Sequence, residues 1–120
     1  MGVPVEQRKD ARFPVTFRSS FSSTNVVSGE GTLSDLSIRG CRVYTLIEVE
    51  PGTVLQLRVQ SCEDEPPIQI SKAVVRWFRA GSFGCEFVKL DPDEWARLHH
   101  VVQDLEMESF KRKPHESDLE

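Results

Sequence analysis

Two short stretches contain most of the side chains that could bind a ligand. Residues 35–40 (DLSIRG) place an acid, a hydroxyl, a guanidinium and a glycine within six residues, between two apolar β patterns. A glycine here allows a positive φ or a close approach of another group to the backbone. The acid and the hydroxyl can bond to local backbone or to a ligand. Alone, this stretch predicts a turn.

The second stretch lies upstream, where Arg8 and Arg12 are four residues apart. A guanidinium binds phosphate and guanine edges through its fork of N–H groups and stacks on flat rings. An acid such as Asp35 accepts from N–H donors and so complements a guanine edge. The basic residues Arg8, Lys9, Arg12 and Arg18 fall within eleven residues of a chain whose formal net charge is −4. This local positive charge favours a small ligand with phosphates and guanines over a long polyanion.

Together, the two stretches resemble the signature of the PilZ domain family, which is R-x-x-x-R followed about one strand pair later by [DN]-x-S-x-x-G. Arg8 and Arg12 match the first element, and Asp35, Ser37 and Gly40 match the second. The runs 75–77 (VRW) and 84–87 (GCEF) are similar to the V-x-W and G-x-x-F positions of the family. The resemblance covers roughly residues 7–105 and implies a small β-barrel that binds the bacterial second messenger cyclic di-GMP (c-di-GMP).

The resemblance also implies what each matched residue does. Arg8 and Arg12 would contact phosphate and guanine, and Asp35 would accept from the guanine N–H groups. Ser37 would bond within its own turn or donate to the phosphate or base. Gly40 is expected to act through backbone geometry.

Three further residues are secondary candidates for ligand binding. Lys9 would help electrostatically at most, because an ammonium cannot fork or stack as a guanidinium does. Arg39 lies between the matched Ser37 and Gly40. Trp77 is expected in the core or barrel wall, and a stacking role is the less favoured interpretation. Gln7 occupies a position that, in the family, influences whether one or two ligand molecules stack in the site. A glutamine there leaves the ligand stoichiometry open.

Six segments with strand patterns must position these residues, and a period of two is clearest in the first, fourth and sixth of them. They cover residues 13–18, with Phe21 as a candidate extension, then 30–37, 41–46, 53–60, 68–78 and 83–90. Pro14 predicts an edge position or a strand start. The apolar phase changes within 68–78, which predicts a bulge or bend.

The period then changes, because Trp95, Leu98, Val102 and Leu105 recur at helical spacing. We predict a helix over about 92–109 that closes the open end of a barrel or packs on a partner. Residues 1–7 are predicted to be flexible, 8–109 to form a single domain and 110–120 to be a disordered tail. The strand pattern alone leaves a barrel or a sandwich open. The family resemblance favours an all-β fold, a six-stranded antiparallel β-barrel with a C-terminal helix.

The composition argues against several other classes of protein. Three widely spaced cysteines and three histidines form no metal-ligand spacing. We find no arrangement around a nucleophile, so we expect neither an enzyme nor a cofactor. No signal-peptide pattern and no apolar run of membrane-spanning length occurs, which predicts a cytoplasmic protein without direct membrane insertion.

The leading hypothesis is a non-catalytic c-di-GMP receptor that signals when the ligand orders its N-terminal arginine arm and alters its contacts with an unidentified downstream protein. Such a receptor would be a monomer or a ligand-dependent oligomer. The alternative is a PilZ-like interaction adaptor that does not bind nucleotide. A barrel that binds single-stranded nucleic acid is disfavoured, because the aromatic residues follow the inward phase and the net charge is acidic.

Overall fold

The computed structural model describes residues 11–23 and 27–119 of the chain. Its elements, in chain order, are β1 (Phe13–Ser22), β2 (Ser28–Leu36), β3 (Gly40–Tyr44), β4 (Val54–Gln60), β5 (Ile68–Arg79), β6 (Ser82–Lys89) and α1 (Pro92–Leu119). The strands form a closed barrel in the order β1-β2-β3-β6-β5-β4, and every neighbouring pair is antiparallel. The predicted six-stranded antiparallel barrel with a C-terminal helix is confirmed. The predicted bounds of β2 to β6 differ from the observed ones by at most two residues.

The barrel interior is filled by the apolar face of each strand. Successive side chains of a strand point to opposite faces, so the apolar members of each alternating run meet inside. Phe21 of β1 and Phe83 of β6 are fully buried there and meet edge to face, with ring centroids 5.2 Å apart. Each large side chain buried in this way contributes about 1.5–3 kcal/mol to folding.

The first half of β1 has only one neighbouring strand. Its pairing with β2 begins at Phe13, whereas its pairing with β4 begins at Arg18. Pro14 therefore lies where one side of the strand is unpaired, and a proline there removes no ladder hydrogen bond on that side. This agrees with the edge position predicted for Pro14.

Strand β5 contains an extra residue at two points relative to its neighbours. Between two registered pairs, Leu55 with Ala73 and Leu57 with Ile70, β4 has one residue and β5 has two, so β5 bulges there. This is the bulge predicted from the change of apolar phase. A second irregularity lies between Val75 and Trp77 and was not predicted.

Helix α1 packs on the barrel through its apolar stripe. Leu98 is fully buried, and Trp95, Val101, Val102 and Leu105 pack against the core in partly buried positions. The helix contacts β5 and β1. Its start is tied to β5, because the backbone N–H of Gln69 donates to Glu94 Oε1 over 3.1 Å. The predicted stripe therefore faces this chain's own barrel.

The helix extends to Leu119, ten residues beyond the predicted end at 109. The prediction that 110–120 is a disordered tail relied on its polarity and on Pro114, because a proline usually ends a helix. Residues 105–113 instead consist mainly of strong helix formers and contain no glycine. Among the described residues, no helix combines the length and the apolar character that crossing a membrane requires.

Candidate functional site

A pocket of about 480 Å³ lies on the outer face of the barrel, where β2, β3, β5 and β6 meet. Its lining includes four arginines and two acids: Arg12, Arg39, Arg42, Arg76, Asp35 and Glu86. Ser37, Gly40, Cys41, Trp77, Gly84 and Cys85 complete it. Because the charged groups carry an excess of two positive charges, the pocket suits an anion.

A bulge in β2 places Asp35 on this outer face. Leu33 pairs with Val43, but the next registered pair is Asp35 with Arg42, so Ser34 is an extra residue in β2. Regular alternation would put Asp35 on the same inward face as Leu33. The bulge shifts the phase by one, so the Asp35 carboxylate joins the Arg42 side chain in the pocket.

Two guanidinium groups hold the Asp35 carboxylate. Arg12 Nη1 donates to Asp35 Oδ1 over 2.7 Å, and Arg42 Nη2 lies 3.3 Å from Asp35 Oδ2. The Asp35 side chain is 17% exposed, whereas that of Arg12 is 52% exposed. Arg12 is thus the exposed member of the pair, and Arg42 would still contact the carboxylate if the Arg12 guanidinium moved to another anion.

The turn after β2 is held by the hydroxyl of Ser37. The backbone N–H groups of Arg39 and Gly40 each donate to Ser37 Oγ over 3.1 Å, and the hydroxyl donates to Gly40 O over 3.2 Å. The Ser37 N–H also donates to the Gly40 carbonyl over 2.9 Å. Ser37 is 1% exposed. Its hydroxyl thus makes the bonds of its own turn, which is one of the two roles that the sequence left open.

Gly40 allows two strands to approach closely. A Cβ at this position would overlap the carbonyl oxygen of Cys85 on β6. Its φ is not in the left-handed region, so the requirement is space, and backbone geometry is the role that was expected.

Two of the residues that line the pocket are cysteines of the buried barrel core. Cys41 and Cys85 are buried cross-strand neighbours, with their sulfurs 3.6 Å apart. Burial raises the pKa of the Cys41 thiol well above its usual range, and the adjacent Cys85 and Asp35 raise it further.

Trp77 forms one wall of the pocket and lies directly on Gly84, where a Cβ would overlap the indole ring. The second bulge of β5 produces this position: Val75 pairs with Cys85 and Trp77 with Gly84, which makes Arg76 an extra residue. Trp77 is half-buried, and the Arg79 guanidinium lies 5.5 Å from its ring centroid. The indole is therefore barrel wall and pocket lining together.

Glu86 lies between two arginines on the opposite side of the pocket. Arg76 Nε and Nη2 donate to Glu86 Oε1 over 2.9 and 2.6 Å. Arg39 Nη2 lies 3.9 Å from Glu86 Oε2. This carboxylate neutralises part of the positive charge of the pocket.

The structure brings most of the candidate residues together. Arg12, Asp35, Ser37, Arg39, Gly40 and Trp77 all line one pocket, whereas Arg8 and Lys9 lie outside the described residues. Three charged residues of the pocket were not among the predicted site residues: Arg42, Arg76 and Glu86. Each of them is next to a buried strand residue in sequence, so the outward direction of their side chains was predictable. Their convergence in one pocket was not, because it depends on the strand order β3-β6-β5.

The family model of the PilZ domain matches residues 6–104. The chain belongs to the PilZ domain family. The match contains the positions of Arg8 and Lys9 as well as the described pocket.

Three solved structures with the same fold have 16% to 19% sequence identity to this chain. The PilZ domain of CeSA from a cellulose-synthesizing bacterium superposes with a TM-score of 0.64 and 17% identity, over 79% of this chain and 97% of that one. YcgR from Escherichia coli in complex with c-di-GMP gives 0.71 and 16%, over 91% and 50%. The complex of MrkH from K. pneumonia with c-di-GMP gives 0.67 and 19%, over 88% and 54%.

The chain thus spans about half the length of YcgR and of MrkH. No curated protein sequence matches it. At these identities the structural neighbours establish the fold alone.

Proposed function

We propose that this protein is a non-catalytic receptor for c-di-GMP. The observation that supports the proposal best is the Asp35 carboxylate held by Arg12 at the edge of a pocket with four guanidinium groups. Membership of the PilZ family supports it as well, and related folds, such as YcgR, have been solved with c-di-GMP bound.

The chemistry of the pocket complements this ligand. A cyclic dinucleotide has two negatively charged phosphates, and the excess positive charge of the pocket would attract them. A guanine presents O6 and N7 to a guanidinium fork, for example that of Arg12. Its N–H edge donates to a carboxylate, and Asp35 is the partly exposed carboxylate that Arg12 contacts.

Trp77 would provide an apolar surface for a base or ribose of the ligand. Its ring is fixed from behind by Gly84 and approached by the Arg79 guanidinium. Stacking of a base on an aromatic side chain contributes about 1–3 kcal/mol in nucleic-acid complexes. The secondary assignment of Trp77 as a ligand contact is retained in this proposal.

The proposed signal is a change in the N-terminal segment. The ligand phosphates would compete with Asp35 for the Arg12 guanidinium, and Arg8 and Lys9 would join Arg12 on the ligand. Ordering of this segment would change the protein surface, and a downstream protein that binds the two states differently would read the change. The receptor would act in the cytoplasm, as a monomer or a ligand-dependent oligomer, without binding a nucleic-acid polymer.

A calorimetric titration with c-di-GMP at fixed salt tests the proposal. Wild type should bind saturably, and the Arg12→Ala substitution should weaken binding by at least about tenfold, since charge-assisted hydrogen bonds contribute about 1.5–3 kcal/mol each. Arg18→Ala is the matched control. It also removes one positive charge, but Arg18 lies in β1 and outside the pocket. The affinity of this variant for c-di-GMP should therefore stay close to that of wild type.

Each result has a distinct meaning. Equal losses in both variants would indicate general electrostatic attraction instead of a site at Arg12. No binding by folded wild type would reject the receptor proposal and leave the alternative, an adaptor that does not bind nucleotide.

A further inference from the structure

Arg42 is the charged pocket residue in closest register with Asp35. The two are direct cross-strand partners immediately after the bulge at Ser34. Arg42 Nη2 lies 3.3 Å from Asp35 Oδ2, on the oxygen that Arg12 does not occupy. Asp35 is therefore held from two sides by groups of different origin, one from the chain before β1 and one from the barrel.

The Arg42 side chain is itself fixed along its length. Its Nε donates to Ser34 Oγ over 3.3 Å, and its guanidinium carbon lies 6.0 Å from the centre of the Tyr44 ring. An arginine tied at Nε and beside a ring has less freedom than an ordinary surface arginine. Ser34, the extra residue of the bulge, thus anchors the group that orients its neighbour Asp35.

We propose that Arg42 is a positioning residue, which holds the Asp35 carboxylate in the orientation that distinguishes guanine from other bases. This inference rests on the proposed function. When the ligand draws Arg12 away, the Arg42 contact keeps the carboxylate from rotating. Each carboxylate oxygen has two acceptor positions, so Asp35 Oδ2 can accept from a guanine N–H while it contacts Arg42.

The positioning role differs from a direct phosphate contact in what it predicts. A carboxylate fixed in plane accepts from N1–H and from the 2-amino group of guanine together. A carboxylate free to rotate forms the second bond poorly. Loss of Arg42 should therefore reduce the contribution of the 2-amino group, whereas loss of a phosphate contact would weaken all cyclic dinucleotides by the same factor.

The test compares c-di-GMP with cyclic di-inosine monophosphate, in which the 2-amino groups are replaced by hydrogen. Binding of both is measured calorimetrically at one salt concentration, for wild type, Arg42→Ala, Arg42→Lys and the control Arg18→Ala. Wild type should prefer c-di-GMP by about tenfold or more, the value of one charge-assisted hydrogen bond. The preference should fall to about threefold or less in Arg42→Ala and should not be restored by the lysine, which lacks Nε and the planar fork.

An unchanged or larger preference in Arg42→Ala would overturn the positioning role, and so would full recovery in Arg42→Lys. Arg18→Ala should retain the wild-type preference, and a reduced preference there would also count against it. Absence of c-di-GMP binding by wild type would reject the receptor itself, together with this inference. The circular dichroism spectrum and the urea midpoint of each variant identify a loss of binding that is caused by unfolding.

Discussion

Replacing Ser37 with alanine tests whether its hydroxyl holds the turn or binds the ligand. In the structure, Ser37 Oγ accepts from the N–H groups of Arg39 and Gly40, and the Gly40 N–H is buried. A buried donor left without a partner costs about 1–3 kcal/mol. The Arg39 N–H is only partly buried, so water can restore part of its bond. The Gly40 carbonyl keeps the Ser37 N–H as its donor.

We therefore expect Ser37→Ala to lower the free energy of unfolding by about 2–4 kcal/mol. The matched control is Ser19→Ala, because the buried Ser19 hydroxyl donates a single bond to the Gly31 carbonyl over 3.0 Å. That loss should amount to about 0.5–1.5 kcal/mol. With a denaturant slope of about 2 kcal/mol per molar urea, the midpoints should fall by about 1–2 M and about 0.5 M, respectively.

The assay is urea unfolding followed by fluorescence, with c-di-GMP binding measured on the folded variants. A Ser37→Ala midpoint no lower than that of Ser19→Ala would refute the turn role. If such a variant also lost c-di-GMP binding, the hydroxyl would act on the ligand instead.

Three further perturbations test other parts of the structure. Glu86→Gln removes a carboxylate charge held between two pocket arginines. Calorimetry should show c-di-GMP binding tightened about 2–5-fold, the effect of one partly screened charge. Weaker binding would show that Glu86 helps to hold the ligand. Leu98→Ala should cost about 2–5 kcal/mol in urea unfolding because Leu98 is fully buried, whereas the exposed Met107→Ala should change stability by less than about 0.5 kcal/mol; similar values would contradict the helix packing. Thiol labelling of the native protein should modify the exposed Cys62 quickly and the buried Cys41 only on unfolding. Because the folded pKa of Cys41 lies above its unfolded value, its contribution to stability is complete below about pH 8.5 and is lost as the pH rises, and Cys41→Ala should flatten this alkaline decline.

Most of the strands were predictable because their apolar and polar residues alternate, whereas closure into a barrel was expected from the family resemblance. The run from Leu55 to Val59 places every second residue inside, as predicted, and burial of these side chains dominates the folding energy. The helix stripe followed from a period of 3.6 for the same reason. The far end of the helix was not predictable in this way. Among the helix residues whose side chains the structure describes, Leu105 is the last that packs against the core, so the apolar stripe gives no end point beyond it.

The motif predicted part of the pocket lining but not its geometry. The motif identified Arg12, Asp35 and Ser37, yet it did not show that the Ser37 hydroxyl is used within its own turn. The contacts of Arg42 and Glu86 depend on which strands are neighbours. Strand β6 lies between β3 and β5 in the barrel, and no local pattern in the sequence specifies that order.

The extra residue in β2 shows why the motif alone did not predict the geometry of the site. Leu33 and Asp35 are two apart, so a regular strand would direct both into the barrel. A bulge is a difference in residue count between two paired strands, and one strand read alone does not contain it. Without Ser34 as the extra residue, Asp35 would pair with Cys41. Its carboxylate would then enter the core, where Cys41 and Cys85 are buried. An ionised carboxylate without a partner is too costly in such a core. The bulge is therefore the feature that makes an acid in this position compatible with a stable barrel and available to a ligand.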